Sequence, residues 1–248
     1  GIITGKNITL ATNNDSVYNT AIELSKAGSR VTVIDSRNSV HSEAIEELNK
    51  NNIEIILGTV PYNINGSKSV KSIELKNSNI ENSNHNHQIK SDLVLLSGGW
   101  SPVVHLLSHR GIKPKWDDEN LCFIPSEIKE PITVAGSASG VWGTEDCVAS
   151  GVAAGLCAAK SLGLKTTDYF FPKIGGWKNP IQPLYEIKYK KNRSKSFIDY
   201  QHDVTCDDVR LAHREGFISV EHLKRYTTLG MANDQGKMGN IIGLSLMA

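Results

Sequence analysis

The stretch that decides the fold runs from Asn7 to Asp35 and reads NITLATNNDSVYNTAIELSKAGSRVTVID. Its first residues are largely apolar and predict a short buried strand. Apolar side chains then recur at helical spacing between Val17 and Leu24, and Gly28 marks the end of that helix. The β-branched run from Arg30 to Asp35 predicts a second strand. This succession of strand, helix and strand is typical of the start of a parallel α/β sheet.

The same alternation continues beyond Asp35. A second helix is predicted around residues 44–48 and a third strand at 53–57, and returning strands are predicted at 70–75 and 92–96. This is the order of a Rossmann-like domain, in which an acid about 20 residues after the first strand–helix turn reads a ribose hydroxyl. The predicted fold class is therefore α/β, with a Rossmann-like domain at the start of the chain.

The first strand–helix turn lacks the glycines that a bound dinucleotide needs. The pattern G-x-G-x-x-G/A falls on Thr12, Asn14 and Val17. Glycine at these positions lets the backbone approach the pyrophosphate, so side chains at all three would crowd a phosphate. We therefore interpret this unit as a Rossmann fold that binds nothing at this turn, and Asp35 as a strand-end acid rather than a ribose ligand.

The bulk composition argues against several classes of protein. The chain has 248 residues, 39% of them hydrophobic, and a formal net charge of +1, which gives no electrostatic case for binding nucleic acid or a membrane surface. No apolar run reaches the ~20 residues of a membrane span, and no signal peptide is visible, so we expect a cytoplasmic protein. The four cysteines have no C-x-x-C spacing, which argues against a zinc site or a redox pair.

The remainder of the chain divides into a linker and a small all-α module. Residues 164–196 contain several prolines and little periodicity, and are predicted to be an extended connection. Three short helices are predicted in residues 197–248, the first from a Thr205-x-x-Asp208 capping pattern and the third from around Gln235. The predicted domains are 1–163, 164–196 and 197–248.

Two segments of the α/β region resemble the pyridine-nucleotide disulfide oxidoreductases. Asp92–Pro102, DLVLLSGGWSP, is similar to the crossover by which that family leaves its NADH domain. Ile132–Ala138, ITVAGSA, resembles the family's terminal strand, and a helix faced with small residues is predicted from about Cys147 to Leu162. In that family the strand ends in an acid that binds a flavin-cofactor hydroxyl, whereas Ser137 stands at that position here.

The C-terminal region resembles a second family. Asp203–Lys237, DVTCDDVRLAHREGFISVEHLKRYTTLGMANDQGK, is similar to a segment near the middle of the α subunit of heterotetrameric sarcosine oxidase. It is also similar to the ferredoxin-type helical module of related amine dehydrogenases, whose four cysteine ligands fall here at Asp199, Gln201, Asp234 and Gly239. Iron–sulfur clusters are held by thiolates, so no iron–sulfur cluster is expected.

The resemblance implies a dinucleotide site in the α/β domain. The sarcosine oxidase α subunit holds NAD in the FAD-like slot, and Ser137, Trp142 and Thr144 fall on its dinucleotide contacts. The alternative is that Glu145 and Asp146 simply start a helix, because acids are favoured in a first turn.

The resemblance also implies a site in the helical module. In the family this region packs on the β subunit, with FMN at the interface, and Arg225, Thr227, Thr228 and Lys237 are the residues expected to hold the FMN phosphate or the β subunit. The alternative is that the two threonines cap a helix and the lysine is solvated.

The function implied by the resemblance is oxidative demethylation of sarcosine. The family's heterotetramer carries FAD and FMN with its β subunit, where catalysis takes place, and contains further small subunits. The chain shows no acid–base or nucleophile constellation of its own, so we expect a cofactor-supporting piece of this CH–NH oxidoreductase that is inactive alone. Two alternatives are an α-like subunit of an FAD/FMN amine or proline dehydrogenase, and a non-catalytic fragment that only folds and associates.

Overall fold

The computed structural model of the chain describes residues 2–78, 87–129, 131–167, 181–187 and 195–248. The chain forms two compact units, and each is described by itself. The first unit comprises Gly1–Gly98 and Gln182–Ala248, and the second comprises Gly99–Ile181. The domain boundaries derived from the sequence remain predictions, and most of the linker lies outside the described residues.

In chain order the elements are β1 (Asn7–Thr12), α1 (Tyr18–Lys26), β2 (Arg30–Asp35), α2 (Ser42–Lys50), β3 (Glu54–Ile56), β4 (Thr59–Gly66), β5 (Val70–Asn77), β6 (His87–Lys90), β7 (Leu93–Ser97), α3 (His105–His109), β8 (Lys115–Asp117), β9 (Cys122–Ile124), α4 (Thr144–Ser161), β10 (Phe197–Asp199), β11 (Val204–Thr205), α5 (Cys206–Arg214), α6 (Val220–Thr227) and α7 (Gly239–Met247). Two 3-10 turns, Asp15–Val17 and Gly136–Ser139, precede α1 and α4. None of the helices in the described ranges combines the length and the apolar character needed to cross a membrane.

The first unit is built on a four-stranded parallel sheet with the strand order β3-β2-β1-β7. Thr12, at the end of β1, lies opposite Asp35 of β2 and Ser97 of β7, so the three strands end together at one edge. Buried side chains of the sheet and of α1, such as Leu10 and Ala21, share one apolar core. The predicted α/β fold class is confirmed, because buried strands and amphipathic helices each need the apolar face of the other.

A second, antiparallel sheet belongs to the same unit. Its three strands are ordered β4-β5-β6. Ile73 and Leu75 of β5 are buried in a cluster with Ala11 and Ile34 of the parallel sheet. The antiparallel sheet therefore covers apolar side chains at the edge where β1 and β2 end.

The helical module comprises α5, α6 and α7 with the short β10–β11 pair. The predicted capping pattern is present: Thr205 Oγ1 accepts a hydrogen bond from the N–H of Asp208 (3.3 Å), and Asp208 Oδ2 accepts one from the N–H of Thr205 (2.8 Å). The helices bury a small core around Val209, Leu223 and Leu229. Such a core is ordinary for short amphipathic helices, which gain most of their stability from packing.

The third helix of the module begins at Gly239 and not around Gln235. Gln235 and Gly236 have left-handed backbone angles, with φ of 53° and 75°, which interrupt a helix. The carboxylate of Asp234 accepts hydrogen bonds from the N–H groups of Gly236 and Met238 at 3.4 and 3.3 Å, and thereby stabilises a turn in place of the expected first helical turn.

The second unit contains α3, the β8–β9 hairpin and α4. The terminal strand expected within residues 132–138 is not a strand, since no described residue pairs with it in a ladder. A strand needs a hydrogen-bonded neighbour, and the extended chain instead passes into the 3-10 turn at Gly136. The following helix begins at Thr144, ahead of the expected start at Cys147.

Candidate functional site

The first strand–helix turn is closed by the side chain of Asn14. This residue is fully buried, and its Oδ1 accepts hydrogen bonds from the N–H (3.0 Å) and the hydroxyl (2.5 Å) of Ser16. Its Nδ2 donates to the carbonyl oxygen of Ser97 (3.4 Å), and its own N–H donates to Thr12 Oγ1 (3.1 Å). Backbone donors that a glycine-rich turn would offer to a phosphate are therefore already engaged by side chains of this protein.

A second contact joins the same turn to the chain that returns to the first unit. Asn13 Nδ2 donates to the carbonyl oxygen of Gln182 (2.8 Å), and the N–H of Gln182 donates to the carbonyl oxygen of Asn13 (3.1 Å). Both backbone groups of Gln182 are thus bound to one residue of the loop. Because the turn carries side chains in place of glycines and the N–H groups of Asn14 and Ser16 are already bonded, it does not fit a dinucleotide.

The acid at the end of β2 is held by an arginine and a tyrosine. Arg37 donates from Nε to Asp35 Oδ1 (3.0 Å) and from Nη2 to Oδ2 (2.7 Å), and the Tyr18 hydroxyl donates to Oδ2 (2.7 Å). Arg37 Nη2 also lies 2.6 Å from Asp15 Oδ1. Both oxygens of Asp35 are engaged by this buried group, so the residue serves as a structural acid at the strand end.

Burial and charge shift the ionisation of this group. Burial, and then the hydrogen bond to Asp35, raise the pKa of Tyr18 far above its ordinary value. Burial alone would lower the pKa of Arg37, but its hydrogen bonds and the charge of Asp35 outweigh burial and raise it. The phenol therefore stays protonated and the guanidinium stays charged at neutral pH.

The loop before α4 is arranged differently. Gly140 and Gly143 have left-handed backbone angles, with φ of 83° and 94°, and Gly143 provides no side-chain cap for the 18-residue helix that follows. The N–H of Gly136 donates to Ser150 Oγ (3.1 Å), which holds the loop against the helix. An uncapped helix start after a glycine-containing loop suits an anionic group.

The three residues predicted to contact NAD all border this loop. Ser137 is exposed in the 3-10 turn, Thr144 is the first residue of α4, and Trp142 lies between them. The indole N–H of Trp142 donates to Asn120 Oδ1 at 3.2 Å. Glu145 and Asp146 occupy the first turn of α4. Acids at this position are equally typical of an ordinary helix start, which was the alternative.

The four residues predicted for FMN or the β subunit lie in two parts of the helical module. Arg225, Thr227 and Thr228 stand at the end of α6, and Lys237 stands in the turn before α7. Arg225, Thr228 and Lys237 are exposed. Within the described residues, no hydrogen bond or ion pair joins these four side chains to one another.

The two threonines differ in what their positions allow. The Thr227 hydroxyl donates to the carbonyl oxygen of Leu223 (2.8 Å) and accepts from the N–H of Leu229 (3.2 Å), so it is engaged in ending α6. Thr228 has a left-handed φ of 65°, which is rare for a β-branched residue. The alternative was that both threonines cap a helix. This role fits Thr227, whereas Thr228 is exposed at the surface.

The positions that correspond to cluster ligands in the amine dehydrogenases carry hydrogen bonds. Asp199 Oδ1 accepts from the N–H of Gln201 (2.8 Å), and Gln201 Oε1 accepts from the N–H of Asn233 (3.1 Å). These bonds link the β10–β11 loop to the turn that contains Asp234, and Gly239 begins α7 in a buried position. In the described part of the chain, no group of three or more His, Cys, Asp or Glu side chains could hold a metal ion.

Sequence reasoning missed three contributors to these sites. Arg37 could have been found, because it follows the strand-end acid by two positions and carries the opposite charge. Gln182 carries no such signal, since it binds Asn13 through its backbone. Trp100 lies in the segment Asp92–Pro102, which resembles the pyridine-nucleotide disulfide oxidoreductases, but its contact with the ring of Trp142 was not predicted.

Comparisons with known proteins agree with the fold of the chain. A model of the family described as pyridine nucleotide-disulphide oxidoreductase matches residues 19–82, and a model of the sarcosine oxidase A3 domain matches residues 193–248. Among solved structures, a thioredoxin reductase from Lactococcus lactis has a TM-score of 0.50 and 22% identity, covering 62% of this chain and 52% of that one. At that identity the similarity shows the fold alone, and it confirms the expected Rossmann-like type.

Curated relatives match the chain from end to end. Sarcosine oxidase subunit alpha of Rhizobium meliloti (strain 1021) is 33% identical over 252 aligned residues, covering 100% of this chain and 24% of the relative. The same subunit of Corynebacterium sp. (strain P-1) is 30% identical, covering 100% of this chain and 26% of the relative. The chain thus spans about a quarter of the length of these relatives. The chain belongs to the sarcosine oxidase α-subunit family and corresponds to one part of such a subunit.

Proposed function

We propose that the chain supports a dinucleotide and a subunit interface in an oxidoreductase that removes the methyl group of sarcosine oxidatively. The observation that carries the proposal is the contrast between its two loops. The first turn is closed by Asn14 and Asn13, whereas the loop before α4 leads into a helix without a side-chain cap. The relatives' name supplies the reaction, and catalysis is assigned to flavins of a partner β subunit.

The dinucleotide proposed for the loop before α4 is NAD. The Ser137 hydroxyl is exposed and can donate to or accept from a ribose, and the start of α4 at Thr144 suits a pyrophosphate. Trp142 offers an aromatic ring beside them. These residues bind and orient the dinucleotide, and no redox step is assigned to them.

The surface proposed for FMN or the β subunit is the end of α6 with the turn before α7. Arg225 and Lys237 are exposed cations, which suit a phosphate or an acidic partner surface. Thr228, which follows Arg225 at the end of α6, adds an exposed side chain with a hydroxyl. Thr227 acts by holding the end of α6 through its bonds to the backbone.

The chain alone is proposed to be inactive because the flavins that carry the chemistry are assigned to the partner β subunit. Burial, followed by the charge of Asp117, raises the pKa of Cys122 to about 11, and burial, followed by Glu186, raises the pKa of Cys206 to about 11. Thiols in this state are poor nucleophiles at neutral pH. The two buried thiols are therefore poor candidates for a catalytic nucleophile, which is compatible with flavin chemistry on the partner.

The test is to produce the chain with and without a sarcosine oxidase β subunit and to measure sarcosine-dependent peroxide. We expect peroxide from the complex and none from the chain alone, and an Arg225→Ala/Lys237→Ala variant should yield a complex with less FMN. The control is Arg30→Ala/Lys26→Ala, which also removes one arginine and one lysine. These two exposed residues lie at the start of β2 and the end of α1, outside the helical module. Reduction of a dye without peroxide would favour the dehydrogenase alternative. If the chain joins the complex but changes neither the flavin content nor the activity of the complex, only the role in subunit association would remain.

A further inference from the structure

Two tryptophans of the second unit form an open aromatic pair. The ring centroids of Trp100 and Trp142 are 6.1 Å apart, and their planes meet at 37°. The Trp142 ring is held by its hydrogen bond to Asn120. Trp100 nevertheless remains 55% exposed, and among the described residues Trp142 is its one aromatic contact. The pair therefore presents apolar ring surface, mainly that of Trp100, which the described residues of the second unit leave open.

Another tryptophan of the same unit shows the ordinary arrangement. Trp116 packs edge-on against Phe123 within the β8–β9 hairpin, with ring centroids 5.1 Å apart at 72°. Its indole N–H donates to Asp118 Oδ1 at 2.9 Å. The Trp116 ring thus stabilises the hairpin through an edge-to-face contact, a geometry that aromatic pairs prefer. The tilted Trp100–Trp142 pair does not adopt this geometry.

The backbone beside Trp100 has an unusual conformation at Gly99. Gly99 has a φ of 116°, and a Cβ atom at this position would lie 2.5 Å from Ile181 Cδ1. Glycine adopts this φ without strain, so the path of the chain into Trp100 depends on the glycine. Pro102, which is buried, restricts the chain two residues later.

We propose that Trp100 and Trp142 form the surface on which a planar ring of the bound dinucleotide stacks. The inference rests on the proposed NAD site and extends it to Trp100. The adenine and nicotinamide rings share the required chemistry, since each has a flat π-face that packs on indole. Trp142 precedes the first residue of α4 by two positions, so a ring on the pair lies beside the loop assigned to the dinucleotide.

The experiment is calorimetric titration of the 248-residue chain with NAD⁺, adenosine monophosphate, nicotinamide mononucleotide and FMN. Trp100→Ala should weaken NAD⁺ binding about tenfold, because stacking of one base on an aromatic side chain is of that order. Trp100→Phe should recover part of the loss by keeping a ring. Trp116→Phe is the matched control and should bind NAD⁺ as the unaltered chain does. The mononucleotide whose binding also weakens in Trp100→Ala identifies the stacked ring.

The outcomes separate the two proposals. Unchanged NAD⁺ binding by Trp100→Ala, with a native circular dichroism spectrum, overturns the aromatic surface and leaves the NAD site standing. Failure of the chain to bind NAD⁺, together with Trp100-dependent binding of adenosine monophosphate or FMN, overturns the NAD site and supports the aromatic surface. Failure of all four ligands to bind overturns both. Equal weakening in Trp100→Ala and Trp116→Phe also overturns the aromatic surface, because it shows a general effect on the second unit.

Discussion

Replacement of Arg37 by methionine is expected to weaken the first unit severely. Arg37 pairs with Asp35 and Asp15. The side chains of Arg37 and Asp35 are 7% and 0% exposed, and the Asp15 side chain is 13% exposed. Methionine keeps an unbranched apolar stem of similar length but removes the charge and the donors. Asp35 and Asp15 then lose the guanidinium, and Asp35 keeps the hydrogen bonds from the Tyr18 hydroxyl and from the backbone N–H of residue 37.

The size of the effect follows from burial. Removing one partner of a buried ion pair costs about 3–5 kcal/mol, because the other charge remains buried without compensation. A whole domain is stable by about 5–15 kcal/mol, so Arg37→Met should remove a large part of the unit's stability. Arg210→Met is the matched control, because Arg210 is 45% exposed in its pairs with Glu186 and Asp207. Exposed pairs of this kind contribute about 0–1 kcal/mol.

The assay is native-state hydrogen exchange at the amides of β1 and β2, such as those of Leu10 and Val33. This measurement reports the opening free energy of the parallel sheet itself, whereas a denaturation curve of a chain with two units can combine several transitions. The double variant Asp35→Asn/Arg37→Met should regain part of the loss, since it removes the uncompensated charge. Equal losses of opening free energy in Arg37→Met and Arg210→Met would refute the reasoning. If the double variant is as unstable as Arg37→Met, the loss comes from altered packing and not from the uncompensated charge.

Three further predictions concern titration, backbone geometry and capping. Because the pKa of Tyr18 is raised on folding, the unfolded chain loses its phenolic proton first, and stability should fall as the pH rises above about 10; urea unfolding of Tyr18→Phe should lack this slope. Gly140→Ala should lower the melting temperature, since a left-handed alanine costs about 1–2 kcal/mol, whereas Gly151→Ala, with open space in mid-helix, should raise it slightly. Thr205→Ala should cost about 1 kcal/mol in urea unfolding by loss of the α5 cap, and Thr205→Ser should restore it.

The secondary structure of the first unit was largely predictable from local pattern. The apolar spacing from Val17 to Leu24 and the β-branched run at 30–35 correspond to α1 and β2. The start of α5 followed from a capping pattern four residues long. The strand expected within residues 132–138 was wrong, because a strand depends on a neighbour that residue spacing within the segment does not reveal.

The candidate sites were predictable only in part. The absence of glycine at Thr12, Asn14 and Val17 indicated a turn unsuited to a dinucleotide. Pattern did not indicate that Asn14 would bond to Ser97, because the two residues meet only when β1 and β7 pair. The predicted residues of the helical module were found near α6 and α7, but the engagement of Thr227 in its own helix end required the geometry.

The sequence by itself determined the alternation of strands and helices up to β3, the missing glycines of the first turn and the absence of thiolates at Asp199 and its three counterparts. Each is a property of residue identity or of spacing over a few positions. Only the tertiary structure decided that Gln182 binds Asn13 and that Trp100 lies beside Trp142. The reason is that local spacing sets backbone conformation and the apolar face of each element, whereas contacts between distant residues depend on how the elements pack.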